Sequence, residues 1–276
     1  MIKKHKFIMI RFSVFNPRQI GWQIAKDVQL EEYKEKLYSN ERLTLRQELF
    51  QKITLPSLLA LKPDPEQLTL MVCTSQELPK KFLDELMDLL RPIPWAKIII
   101  LDSQKDIITS MGESIHKELI KFNETVYYST TRLDDDDALA VYFMDELDKY
   151  LSFQYSDFCL SFASGFGGIY NGNSYDTFHA ENIPRSAQGL TYINTFIPGK
   201  KVNTKYLSVF GLGSHTKVDR VKPTILDSRR PMFLRTLHSN NDSVTEKHIN
   251  SLRKKPLADI EEVSSIFPLD IIKKSR

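Results

Sequence analysis

The sequence predicts an α/β protein, a mostly parallel sheet covered by helices that gives way to an antiparallel extension, and three observations predict it. Short apolar runs rich in β-branched residues alternate with longer helical patterns through residues 1–151, which is the rhythm of β-α-β units. After residue 152 the apolar runs shorten and are separated by turns rich in Gly and Asn, as in antiparallel hairpins. The chain has 276 residues, 41% of them hydrophobic and 26% charged, an ordinary globular mixture able to bury one large core.

Phe7–Phe15 reads as the first strand, followed by a polar insertion at 16–40. Residues 41–61 carry apolar side chains at Leu43, Leu45, Leu49, Phe50 and Ile53, then Pro56 at a second helical start, so two helices with a break are expected. Leu68–Cys73 is a buried strand, Pro79–Leu90 a helix with Phe82, Leu83, Leu86, Leu89 and Leu90 on one face, and Ala96–Leu101 a further strand. A helix over 108–122 leads to the strand Thr125–Thr130, then to Arg132 and the acids Asp134 to Asp137, then to a helical pattern over Ala138–Leu151. Later strands are expected at 158–163, 165–170, 189–196 and 206–210, with a peripheral helix and a loosely held end beyond about residue 240.

Composition excludes several classes. Cys73 and Cys159 are the only cysteines and each lies in an apolar run, so neither a disulfide framework nor a cysteine-ligated zinc site is available, and a reducing, cytoplasmic setting is expected. No stretch approaches the ~18–20 apolar residues of a membrane-spanning helix. The basic start, Met1 to Lys6, is followed by only four apolar residues before Arg11, short of the ~7–15 that a signal peptide needs. Net charge is +3, but residues 200–276 hold 16 Lys and Arg against 8 Asp and Glu, which leaves 22 against 27 in residues 1–199. The two parts therefore carry +8 and −5, and the basic part suits an anionic substrate or peripheral contact with an anionic membrane surface, or is a solvated face. Basic and aromatic residues are not interleaved as in an RNA-binding sheet, so no nucleic-acid partner is expected.

Four successive carboxylates, Asp134, Asp135, Asp136 and Asp137, repel one another unless a cation or solvent relieves them. A helix N-terminus favours acids by ~0.3–1 kcal/mol each, and Asp136 or Asp137 could cap residues 138–151. Capping accounts for one or two acids and not for four. Carboxylates at the C-terminal end of a strand, the edge where open α/β sheets bind ligands, can instead present oxygens to Mg²⁺ or Mn²⁺ together with substrate phosphates. Arg11, Arg46 and Arg132 suit bidentate phosphate contact, or serve as surface ion-pair partners. The run Gly165-Phe-Gly-Gly168 lacks the Lys-Ser/Thr of a phosphate-binding loop and reads as strand.

The string Thr131-Arg-Leu-Asp-Asp-Asp-Asp-Ala-Leu139 resembles the Asp-x-Asp region of nucleotide-sugar-dependent glycosyltransferases of the GT-A type, and more narrowly that of the putative rhamnosyltransferase family. Phe7–Phe12 ending in Arg-Phe, Arg46-Gln-Glu-Leu-Phe50 with Leu55-Pro-Ser-Leu58, and Pro231 to Asn241 are similar to further segments of that family, in the same order. Ser239 stands where the family has glycine, and Phe233 where it tends to have tryptophan. The resemblance implies a GT-A-like, Rossmann-like mixed sheet flanked by helices, with residues 1–151 as the donor half, 152–240 as the acceptor half of the same domain and 241–276 as a peripheral basic segment.

It also implies a function: transfer of a sugar, rhamnose by the family's name, from a nucleoside diphosphate to a hydroxyl of a surface-polysaccharide or lipopolysaccharide acceptor, a glycan or lipid-linked glycan. On that reading Arg11, Arg46, Arg132, Asp134, Asp135 and His215 contact the donor. Asp134, Asp136, Asp137 and His238 ligate Mn²⁺ or Mg²⁺, and Asp176 or Glu181 takes the acceptor proton. For the two histidines, as for Asp176 and Glu181, an ordinary structural or surface role is the competing reading. Another metal-dependent nucleotidyl- or phospho-transfer enzyme, or a non-catalytic carbohydrate-binding module, is the alternative.

Overall fold

The computed structural model describes residues 2–18, 29–238 and 245–273. Strand β1 (Lys3–Arg11) pairs in parallel with β2 (Leu68–Ser75) on one side and β4 (Val126–Leu133) on the other, and β2 pairs in parallel with β3 (Ala96–Leu101). Side chains alternate across a strand, so Ile8 and Ile10 enter one apolar layer while Phe7 and Met9 enter the other. Both faces are covered there, which is why residues 7–10 of β1 read as an unbroken apolar run. Helices α2 (Asn40–Leu49), α3 (Leu55–Ala60) and α4 (Lys80–Leu90) bury Leu43, Leu58 and Leu86 on the first face. Helix α5 (Ile107–Leu119), capped by Asp106 accepting from the Thr109 amide at 2.8 Å, buries Met111, Ile115 and Leu119 on the second.

The later strands extend the same sheet. β9 (Thr191–Phe196) lies antiparallel between β4 and β6 (Phe158–Phe162), and β10 (Thr224–Asp227) runs parallel to β6, giving the order β10-β6-β9-β4-β1-β2-β3. A second sheet has the order β5-β11-β7-β8, from β5 (Ala138–Leu139), β7 (Ser164–Tyr170), β8 (Tyr175–Asn182) and β11 (Phe233–Leu237). The mixed, helix-flanked α/β sheet is the class the sequence predicts. The extension is only partly antiparallel, since β11 runs parallel to β7 as β10 does to β6. The long connections that precede both strands permit such crossovers.

Several local expectations are corrected. Residues 138–151 are not one helix: Ala138 and Leu139 form β5 against β11, and only α6 (Phe143–Asp148) is helical. Ala138, Leu139 and Ala140 are completely buried between elements, and that burial overrides the good helix propensity of Ala-Leu-Ala. Residues 206–210 are not a strand; short 3₁₀ turns at Thr204–Tyr206 and Val209–Leu212 pack on α5, and Val209 donates its amide to Thr130 Oγ1 at 2.8 Å. Gly112 of α5 is required there, because a Cβ at that position would lie 1.8 Å from the Thr204 carbonyl oxygen. The break expected at Pro56 is a π-helical turn, Phe50–Thr54, joining α2 to α3. A proline ring clashes with the carbonyl four residues earlier and offers no N–H, and a wider turn accommodates both.

Within the polar insertion, α1 (Leu30–Leu37) buries Tyr33 and Leu37 against Phe15; residues 19–28 lie outside the described ones. The described residues of the C-terminal end, 245–273, are not loosely held. After α7 (Glu246–Leu252), helices α8 (Ile260–Ile266) and α9 (Asp270–Lys273) bring Val263, Phe267, Leu269, Ile271 and Ile272 into a core with Leu49, Ile53 and Phe166. The basic residues of this part are tied to acids of the earlier part: Lys222 to Asp157, Arg230 to Glu146, and both Arg235 and Lys255 to Glu181. The uneven charge of the sequence is thus partly complementarity within the fold. Among the described residues no helix is long and apolar enough to cross a membrane.

Candidate donor site at the C-terminal edge of the sheet

β1 and β4 end at the same edge, with Met9 in register with Arg132. Arg11 closes β1, and its guanidinium lies 4.8 Å above the centre of the Phe210 ring; the Arg132 guanidinium lies 5.3 Å above the same ring. Two like charges beside one aromatic ring are mutually unfavourable. Burial, and then the charge of Arg132, bring the Arg11 pKa down to about 10. Asp134 accepts from Arg132 Nη2 at 3.2 Å, with about a third of its own side chain exposed (34%), while Arg132 Nε is buried without a hydrogen-bond partner among the described residues. His215 joins this group. It donates Nδ1–H to the Arg185 carbonyl at 2.7 Å, and burial followed by the Arg132 charge lowers its pKa. The edge therefore presents two guanidiniums and an imidazole with one partly exposed carboxylate.

The other three acids turn inward. Arg46, on α2 and just ahead of the π turn, forks onto Asp135, with Nε at 3.2 Å from Oδ2 and Nη2 on Oδ1, and its Nη1 reaches Asp136 Oδ2 at 2.7 Å. His238, just past β11, donates Nε2–H to the same Asp136 oxygen at 3.0 Å. Asp137 accepts the Thr236 amide at 2.8 Å and Gln188 Nε2 at 2.5 Å, and Ser186 Oγ donates in turn to Gln188 Oε1. Burial separates their acidities. Asp135 is pushed up to about 7 because burial outweighs the Arg46 charge. At Asp136 burial also acts upward, but the Arg46 charge and the His238 hydrogen bond overcome it and bring the pKa down to about 2. Asp137 is raised well above the usual carboxylate range by burial and by the charges of Asp136 and Asp134.

The sequence-based site is therefore partitioned. Arg11, Arg132, Asp134 and His215 come together at the edge, whereas Arg46, Asp135, Asp136 and His238 form a separate buried network and Asp137 anchors to β11. No helix begins at these acids, so the capping explanation fails with the helix it required. The expected ligand set Asp134, Asp136, Asp137 and His238 does not converge either: among the described residues no three His, Cys, Asp or Glu side chains come together as a metal site. The physical reason is that three of the four acids already hold a guanidinium, an imidazole, a backbone amide or a carboxamide. The residues present do not fit the expected metal.

Asp176 and Glu181 are both on strand β8, and neither joins the edge group. Asp176 is exposed beside the β7–β8 turn, accepting from Asn171 Nδ2 at 2.6 Å. Glu181 is buried, and its carboxylate is occupied by Arg235 at 3.0 and 3.1 Å and by Lys255 at 2.6 Å. Phe210, Gln188 and Thr236 were not anticipated. Phe210 lay inside a run read as strand, and the other two carry no sequence signal, since each acts through a long-range contact.

Among solved structures, S. aureus TarS 1-349 in complex with UDP-GlcNAc is 11% identical, with 89% of this chain and 64% of that chain covered and a TM-score of 0.42. TarS 1-349 in complex with UDP is 11% identical over 84% of this chain and 60% of that one, TM-score 0.41. A glucose-1-phosphate thymidylyltransferase, described as putative, from Bacillus anthracis in complex with a sucrose is 8% identical over 83% and 88%, TM-score 0.34. The chain spans about three fifths of the length of the TarS 1-349 chains it is similar to. No curated protein matches it. Residues 6–249 match the family described as "Putative rhamnosyl transferase", and the chain belongs to that family of glycosyltransferases.

Proposed function

We propose that this chain moves a sugar, rhamnose on the family's description, from a nucleoside diphosphate to a hydroxyl of a glycan or lipid-linked glycan in surface-polysaccharide assembly. One observation carries the reading. Arg11 and Arg132 both approach the Phe210 ring at the C-terminal edge of two adjacent parallel strands, and Arg132, whose buried Nε has no hydrogen-bond partner among the described residues, is paired with the partly exposed Asp134. The partnerless Arg132 Nε leaves a donor for an anion, and a guanidinium pair matches the geometry and charge of a diphosphate. In the reaction that pair stabilises the charge that develops on the departing diphosphate, and His215, whose acidity responds to burial and to the charges of Arg132 and Asp134, lies at the same edge. Asp134 can accept a hydrogen bond from a sugar hydroxyl. The residues 1–151 supply the edge, and the later segments around Phe210 and His215 close it.

A nucleotide-sugar screen for released nucleoside diphosphate tests the reading. Release from one or a few sugar nucleotides, with a nucleoside diphosphate raising Tm more than the triphosphate, is the expected result. A stronger response to triphosphates supports nucleotidyl or phosphoryl transfer instead, and no response to any nucleotide leaves a carbohydrate-binding module.

A further inference from the structure

We propose that Arg46 is a resident cation of the acidic loop and that the donor diphosphate binds through the arginines of the sheet edge without a divalent ion. The inference rests on the donor reading above, and it starts from the mismatch between the acids and a metal site.

A divalent ion in such a loop needs carboxylate oxygens that are open on one side, so that they can be joined by substrate phosphate. Here the Asp135 carboxylate is held by two nitrogens of one guanidinium, and Asp136 Oδ2 accepts both the third nitrogen and His238 Nε2. Side-chain exposure is 11% for Arg46, 1% for Asp135 and 5% for Asp136, so this is a sealed pairing and not a surface contact. An ion entering between these acids must first move a buried guanidinium away from two carboxylates, which strands its charge.

Arg46 is also firmly placed. The helix that carries it continues through the π turn into α3, where Ser57 Oγ accepts the Leu139 amide at 3.3 Å and donates to the Thr54 carbonyl at 2.7 Å. The helix is thus pinned to β5, just past the acidic loop, as well as through the guanidinium itself. Meanwhile the charge that a metal ion would set against a diphosphate is supplied at the edge by Arg11 and Arg132. Asp134, the acid nearest them, is paired with Arg132 and cannot alone form a multidentate site.

The experiment uses the full chain and two readouts that need no turnover. Thermal shift with uridine, thymidine and guanosine diphosphates is measured in EDTA and in Mn²⁺, and Mn²⁺ binding is followed by the loss of its free-ion electron paramagnetic resonance signal. The expected result is equal stabilisation by the preferred diphosphate in both conditions, with affinities within about twofold, and no Mn²⁺ uptake by the chain with the nucleotide present. Arg46→Met should open the loop: this variant, unlike the unaltered chain, should take up Mn²⁺. If Arg46→Met does not fold, Arg46→Lys, whose single ammonium cannot reproduce the fork, replaces it in the same uptake assay. Stabilisation by the diphosphate only with Mn²⁺, or uptake of Mn²⁺ by the unaltered chain beside nucleotide, overturns this inference and leaves the donor reading standing. Failure of every nucleoside diphosphate to bind in either condition overturns both.

Discussion

Replacing Arg132 by methionine separates a ligand-binding arginine from a structural one, because the two roles predict opposite balances of stability and affinity. In the free protein the Arg132 side chain is 10% exposed and makes one ion pair, to a partly exposed Asp134 at 3.2 Å. Such a pair contributes about 0–1 kcal/mol, and the Phe210 contact at 5.3 Å adds about 0.5–1 kcal/mol. Against these stand the buried Nε without a partner, whose burial costs about 1–3 kcal/mol, and the repulsion of Arg11. Methionine keeps much of the volume and removes both penalties, so stability without ligand should change by no more than about 1 kcal/mol, a Tm shift of roughly 2–4 °C in either direction. With nucleoside diphosphate the variant loses one or more hydrogen bonds to a charged group, about 1.5–3 kcal/mol, or roughly a 10- to 150-fold weaker Kd. Calorimetric titration with the preferred diphosphate, beside a thermal melt without it, measures both. A melt that collapses while the folded remainder binds nucleotide normally would refute the donor assignment and make Arg132 a packing residue.

Two further outcomes follow from the inner acids and from the α5 packing. Asp136 has a folded pKa of about 2 against an ordinary 3.8, so its stabilising contribution, of order 2 kcal/mol, is present above about pH 4 and lost as pH falls toward 2. Asp135, raised to about 7, acts the other way: its contribution is full below about pH 4 and is lost as pH rises through 7. In Tm-against-pH profiles, Asp136→Asn should remove the acidic limb and Asp135→Asn should flatten the limb between pH 4 and 7; unchanged profiles would show that these groups are not buried as described. Gly112→Ala should lower stability by about 1–3 kcal/mol or more, because its Cβ would meet backbone at Thr204. An unaltered melt would mean that the turn at residues 204–206 does not pack on α5.

Elements with a sustained period were legible in the chain: β1, β2, α4, β3 and α5 each carry enough alternating or helically spaced apolar residues to declare themselves. The missed strands are short or polar. β8 carries Asp176, His179, Glu181 and Asn182, and it is a strand because β7 pairs with it along its length and Glu181 finds two cations 54 and 74 residues away. β5 has only two residues. The acidic loop itself was legible as an anomaly, but its partners were not. Arg46 lies 89 residues from Asp135 and His238 lies 102 from Asp136, and local pattern holds no information about such distances.

The four acids then have a common explanation that neither capping nor metal ligation supplies. Residues 134–137 are the joint between the two sheets, running from the end of β4 directly into β5. The inward acids hold overlapping sets of neighbours to that joint: Asp135 holds α2, Asp136 holds α2 and the end of β11, and Asp137 holds the β11 backbone and the Gln188 loop. Only Asp134 remains toward the arginines and solvent. Buried charges unpaired by substitution destabilise far more than exposed ones, so loss of an inner acid should damage the joint before it damages chemistry, while loss of Asp134 should leave the joint intact and alter the edge proposed to bind the donor. A run of identical residues thus divides into three that are tied into the fold and one that stays partly exposed at the proposed donor edge.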